Sequence, residues 1–177
     1  MLSLKITETR NFMKKLLASD LFDSFLVSGA KITTFTTFSI DGTWHPSYFK
    51  DTKDGEADVS EISQAQPDTD SPAYPSWKIL RGTVFDIVKG HHTPLSMRIV
   101  LVLSPANTGC VIKNAGLALT ASDVDGLFFN ISYTDAGIIL TTGTSMKTFT
   151  LDKSLEHAWD DAALKFLTAR QITFEKL

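Results

Sequence analysis

The sequence predicts an α+β fold in which helices pack on one face of a mainly antiparallel sheet. Three observations predict it. Apolar and polar residues alternate at the N-terminus and again through Leu127 to Tyr133, the two-residue period of half-buried strands. Between such stretches lie segments whose apolar residues recur every three to four positions, the period of a helix with one buried face. Strands also follow one another through short turns, at Gly29-Ala30-Lys31 and at Thr134-Asp135-Ala136-Gly137, the connections that antiparallel neighbours use.

The elements follow in order. Leu2, Leu4 and Ile6 alternate with Ser3, Lys5 and Thr7, which reads as a strand. Thr7 then caps a helix whose buried side is Phe12, Met13, Leu16 and Leu17. Phe25 to Ser28 form a second strand, and a Thr/Phe-rich strand runs from Ile32 to Ile40, closed by Asp41-Gly42. From about 43 to 75 the texture changes. Residues 51–72 are acidic and polar, with no apolar period of either kind, and read as an irregular, mobile excursion. Ser76 caps a helix with Trp77, Leu80, Val84, Ile87 and Val88 on one side, ending at Gly90. Met97 to Leu103 are apolar on both faces, as in an interior strand. Ser104-Pro105 starts a helix with the cap followed by proline at the first helical position. Strands follow at 127–133, 138–142 and about 146–151, and Asp152 caps a last helix with Leu155, Trp159, Ala162, Phe166 and Leu167 inward.

Composition bounds the function. At 177 residues the chain fits one domain, long enough to bury roughly 70% of the surface its unfolded chain exposes. Hydrophobic residues make up 43% and charged residues 21%, which are globular values. The longest apolar run, Ile99 to Leu103, is far short of the roughly 20 residues of a spanning helix. The N-terminus lacks the apolar core of a signal peptide, and the single cysteine, Cys110, allows no internal disulfide. A cytoplasmic location is expected. The net charge of −3 excludes the strongly basic nucleic-acid binders but leaves room for a local basic face.

The order of elements suggests an internal duplication. Residues 2–41 run strand, helix, strand, strand, and residues 97–152 run strand, helix, strand, strand, strand. Thr37-Phe38-Ser39-Ile40-Asp41 is echoed by Thr148-Phe149-Thr150-Leu151-Asp152. Through Leu4-Lys5-Ile6, Ile32-Thr33-Thr34-Phe35, Thr93-Pro94-Leu95-Ser96 and Thr141-Thr142-Gly143-Thr144-Ser145, the chain resembles an uncharacterised bacterial family with no assigned activity. The strand–helix–strand–strand repeat is also similar to the DNA sliding clamp domain. That resemblance implies a layer of helices turned toward DNA. It departs from clamps in lacking a third strand in the first half and in supplying one such domain.

A helix layer that faces DNA needs outward cations. Lys78 and Lys89 coincide on their helix with Arg81 at the edge, Arg10 and Lys14 share a face, and Lys113 is exposed on the third helix. These six are the expected phosphate contacts, which position without reading sequence. The same residues also suit an ordinary solvated helix surface. His91 and His92 offer a general base or a metal ligand, but no carboxylate or cysteine nearby completes a ligand set, and His45 and His157 bear no useful spacing to them. Lys50 and Thr52 stand where a calcium loop spanning 50–61 needs carboxylates. Cys110 reads as a buried structural thiol, and Ser145 lacks a nucleophile elbow. No catalytic residue, metal site or cofactor loop is read. The expectation is a non-enzymatic, clamp-like protein associated with nucleic acid or replication proteins. The alternatives are a protein–protein interaction module without DNA binding and, third, an enzyme with a site near His91 and His92.

Overall fold

A computed structural model of the chain describes residues 1–43, 45, 74–90 and 92–177. Its secondary structure is β1 (Ser3–Ile6), α1 (Thr9–Ala18), β2 (Phe25–Thr33), β3 (Thr37–Asp41), α2 (Trp77–Val88), β4 (Ser96–Leu103), α3 (Pro105–Asn114), β5 (Val124–Thr134), β6 (Gly137–Met146), α4 (Ser154–Ala169) and β7 (Phe174–Lys176). The strands form a seven-stranded sheet in the order β3-β2-β4-β5-β6-β1-β7, and every neighbouring pair is antiparallel. The fold is α+β, with the helices on one face of that sheet.

Alternation puts Val27, Ile32, Met97, Ile99, Leu101, Phe129, Ile131, Ile138, Leu140, Leu4 and Ile6 into the core beneath the helices. The helices meet them with Phe12, Leu16 and Leu17 from α1, Trp77 and Val84 from α2, Ile112 from α3, and Leu155, Trp159 and Leu167 from α4. An aromatic chain links the layers: Phe12 to Phe22 at 5.9 Å, Phe22 to Phe25 at 5.9 Å, Phe25 to Phe129 at 5.4 Å and Phe129 to Trp159 at 4.8 Å. Such tilted and edge-on pairs add specificity to the area they bury. Trp77 also donates its indole N–H to the Leu16 carbonyl at 3.0 Å, which locks α2 against α1.

Two helix starts follow the sequence reading closely. Ser76 Oγ accepts from the Lys78 N–H at the head of α2, and Ser104 Oγ accepts from the Asn107 N–H ahead of Pro105 in α3. Asp152 is not the cap of α4: Lys153 holds that position without a side-chain bond, while Asp152 Oδ1 takes the Ser154 N–H and hydroxyl in a turn just before the helix. Thr7 is not the cap of α1. Glu8 holds that position without a side-chain bond, while the Thr7 hydroxyl donates to Thr173 instead.

Several expectations are corrected. Gly29-Ala30-Lys31 is not a turn. A bulge between Val27 and Gly29 lets β2 run on to Thr33, and the chain reverses at Thr34-Phe35-Thr36 without any glycine. The strand expected at 146–151 is absent, since β6 ends at Met146 and Thr148 to Leu151 stand in solvent with no sheet partner. The short β7 was not foreseen. The duplication fails in the sheet. β4 and β5 are antiparallel neighbours across α3, whereas β1 and β2 run the same way with β4, β5 and β6 between them. Only the order of elements along the chain is shared, because strand pairing depends on which edges meet and not on the order of letters. Residues 51–72, and with them the expected mobile excursion and the calcium-loop positions, lie outside the described residues.

Candidate functional site

α1 and α2 lie side by side, and three of their cations, Arg10, Lys14 and Lys78, face solvent. β1 delivers α1 to the hairpin end of the sheet, and α1 runs back toward Phe22 and Phe25. α2 starts beside the first residues of β2, where Ser76 bridges Leu26, and runs the opposite way. The two helices are therefore antiparallel. Arg10 and Lys14, one turn apart on α1, are exposed, as is Lys78 on the first turn of α2. Among the described residues no carboxylate lies within 4.0 Å of any of these three, as the ion pairs found lie elsewhere. Phe12, Leu16, Leu17, Trp77 and Val84 hold the opposite faces of both helices in the core.

The other three expected cations are placed differently. Arg81 turns inward: its guanidinium pairs with Asp23 at 3.2 Å and donates to the Ser19 carbonyl, tying α2 to the chain after α1. Lys89 is exposed but pairs with Asp86 at 2.7 Å. Lys113 is exposed on α3, which packs against α4 and β5. Three of the six thus share a helix pair as charges unpaired among the described residues, one is structural, one is shared with an acid and one lies on another helix. Lys15, which sequence reasoning passed over, donates to the Arg170 and Gln171 carbonyls at 2.7 and 2.8 Å and is also structural.

Among the described residues the remaining candidates gather no site. His91 lies outside the described residues, and His92, His45 and His157 are exposed. Among the described residues no group of three His, Cys, Asp or Glu side chains is arranged to hold a metal. Cys110 is exposed and not buried, because α3 turns Thr108 and Ile112 inward and leaves the position between them outside. Ser145 donates to Asp125 at 3.2 Å on the surface of β6.

A cleft that sequence reasoning missed opens at the end of the sheet where α3 begins. Its volume is about 1050 Å³, and it is walled by Leu103, Thr108, Val124, Gly126 and Phe128 with Lys147 at the rim. Asp123, just beside it, accepts from the Thr120 hydroxyl at 2.7 Å and the Thr120 N–H at 2.8 Å, which holds its carboxyl below the usual aspartate range. No sequence motif marks this cleft. It exists because β4 and β5 are of unequal reach, and that is known only once their register is.

The model of a family of unknown function (DUF5721) matches residues 15–175. The chain belongs to that family. The match begins near the end of α1 and closes within β7, so α2 and the cleft fall within it while β1, Arg10 and Lys14 lie outside it. No curated protein and no solved structure matches the chain. Neither comparison lends support to the sliding-clamp likeness. No helix among the described residues is long and apolar enough to cross a membrane.

Proposed function

We propose that this member of the family associates with nucleic acid without reading its sequence, through the outer surface of α1 and α2. The observation that carries the reading is the trio Arg10, Lys14 and Lys78: exposed on adjacent helices, unpaired among the described residues, and set on a protein of net charge −3. Cations exposed on neighbouring helices attract a polyanion locally even where the chain as a whole is net negative. Lys89 joins this surface when phosphate displaces Asp86, since an exposed ion pair is worth little. The clamp-like part of the reading is carried by layering alone, helices over an antiparallel sheet with cations outward. The unequal connectivity of 2–41 and 97–152 gives it no help.

The test is charge reversal. Lys14→Glu with Lys78→Glu is expected to abolish weak duplex binding, of a dissociation constant on the order of 10⁻⁴–10⁻⁶ M, measured by fluorescence anisotropy at low salt. Both side chains are exposed, so the melting temperature should stay within a few degrees of the parent. Unchanged binding by the double variant rejects this surface.

A second reading, a protein-interaction module, is favoured by a separate observation. Phe35 is 93% exposed and Leu95 70% exposed at one end of the sheet, and Phe149 is 87% and Leu151 84% exposed at the other. Large apolar side chains in such positions gain about 1.5–3 kcal/mol each when a partner covers them.

A further inference from the structure

The outward side of α2 carries more than charge. Lys78, Gly82, Phe85 and Lys89 recur at intervals of four, three and four residues, which keeps them within an arc of about 60° on the helix surface. All four are exposed, while Trp77 and Val84 hold the other side of the helix in the core. Lys89 caps the helix and still gives its N–H to the Phe85 carbonyl at 2.7 Å, so it continues the same stripe. The Phe85 ring therefore lies between two cations, about 10 Å along the axis from Lys78 and about 6 Å from Lys89.

The fold itself explains neither Phe85 nor Gly82. Leu80, Ile87 and Val88 pack against the core, but Phe85 stays outside it and is 42% exposed. A Cβ added at Gly82 would meet nothing within 4 Å, and its φ is not positive, so alanine would fit there without strain. Glycine inside a helix is less stable than alanine, and no close packing in the described structure requires it here. A wet aromatic ring and an unneeded glycine stand one turn apart on the same stripe. Both are unfavourable alone, and both suit the close approach of a flat, apolar ligand surface.

We infer that this stripe prefers single-stranded nucleic acid to duplex. An unpaired base stacks on Phe85 and lies over the open backbone at Gly82, while phosphates to either side meet Lys78 and Lys89. The inference rests on the nucleic-acid reading of the helix surface and adds the form of polymer it takes. Charge alone attracts any polyanion, and an acidic peptide has no base face to offer the ring. A duplex keeps its base faces inside its own stack, whereas a single strand leaves them open. Stacking accepts every base, so binding stays independent of sequence. Asp86, at the edge of the stripe, competes with phosphate for Lys89, and Lys78 has no such competitor among the described residues.

The test uses the full chain, a labelled single-stranded oligothymidine, and the same strand annealed to oligoadenosine, compared by fluorescence anisotropy at low salt. The single strand is expected to bind at least about fivefold more tightly, the lower end of what one stacked base contributes. Phe85→Leu keeps an apolar side chain but has no π-face. It should erase that difference while duplex affinity and the slope of log affinity against log salt stay at the parent values, since the phosphate contacts remain. Phe85→Trp should keep or enlarge the preference. Gly82→Ala should raise the melting temperature by about 2–4 °C yet weaken single-strand binding. Equal affinity of the parent for the two forms overturns the inference and leaves the charged surface standing. A preference that survives Phe85→Leu also overturns it, as does a Leu variant that loses both forms equally, which would make the ring a support for the helix. If neither form binds, the nucleic-acid reading falls and this inference falls with it.

Discussion

Single residues set hard limits in two places. A Cβ at Gly42 would sit 2.0 Å from the Val27 carbonyl oxygen and 2.7 Å from the Ser28 carbonyl carbon, both backbone atoms that cannot swing aside. Gly42→Ala is therefore expected to cost about 1–3 kcal/mol or more in urea unfolding. Gly29→Ala, whose Cβ meets only the Ile40 carbonyl oxygen at 3.4 Å, should cost less than about 1 kcal/mol. Equal losses at the two positions would refute the packing account. Asp123 makes a pH prediction. Its pKa is lowered, first by the Thr120 hydroxyl and then by the Thr120 N–H. A lowered carboxylate pKa means that the ionised form is favoured by folding. Its contribution is complete above the ordinary value of 3.8 and is lost as pH falls through the lower folded value. The stability gap between the parent and Asp123→Ala should therefore be open at neutral pH and close in strong acid. A gap that stays constant would show that the carboxylate charge contributes nothing.

At the scale of elements, α1 and α2 act as one unit because Trp77 and Arg81 reach back from α2. Trp77→Phe keeps the ring in the core but leaves the buried Leu16 carbonyl without its donor, and is expected to cost about 1–3 kcal/mol by denaturant midpoint. A cost near zero would mean that apolar packing alone joins the helices. The sequence made the helices legible where local chemistry decides them: Ser76 and Ser104-Pro105 mark two starts, and periodicity found most of the buried faces. It misled where tertiary context decides. The Thr/Phe-rich stretch 32–40 has strand propensity throughout, so nothing local shows that it folds at Thr34-Phe35-Thr36. Phe149 and Leu151 look like strand residues in letters, yet no neighbouring edge is offered to them. β7, only three residues long, depends on the exposed edge of β1. The cationic surface was half legible, since spacing finds the residues that share a helix face but not that Arg81 turns in to Asp23. The cleft was not legible at all.

For the whole molecule, the sheet order explains how one chain presents distinct surfaces. The crossing from β1 to β2 spans β6, β5 and β4, so α1 is carried over the middle of the sheet and α2 packs beside it. β4 ends early to start α3, and the cleft is the space left beside β5. The helix surface and the cleft are therefore separate consequences of topology. The central claim is that Arg10, Lys14, Lys78 and, on displacement of Asp86, Lys89 contact phosphate together. The most direct measurement is the affinity of the parent protein for a labelled duplex across a series of salt concentrations. With about four phosphates neutralised, log affinity should fall linearly against log salt with a slope of about −3 to −4. A slope near zero, or no binding at the lowest salt, would contradict it.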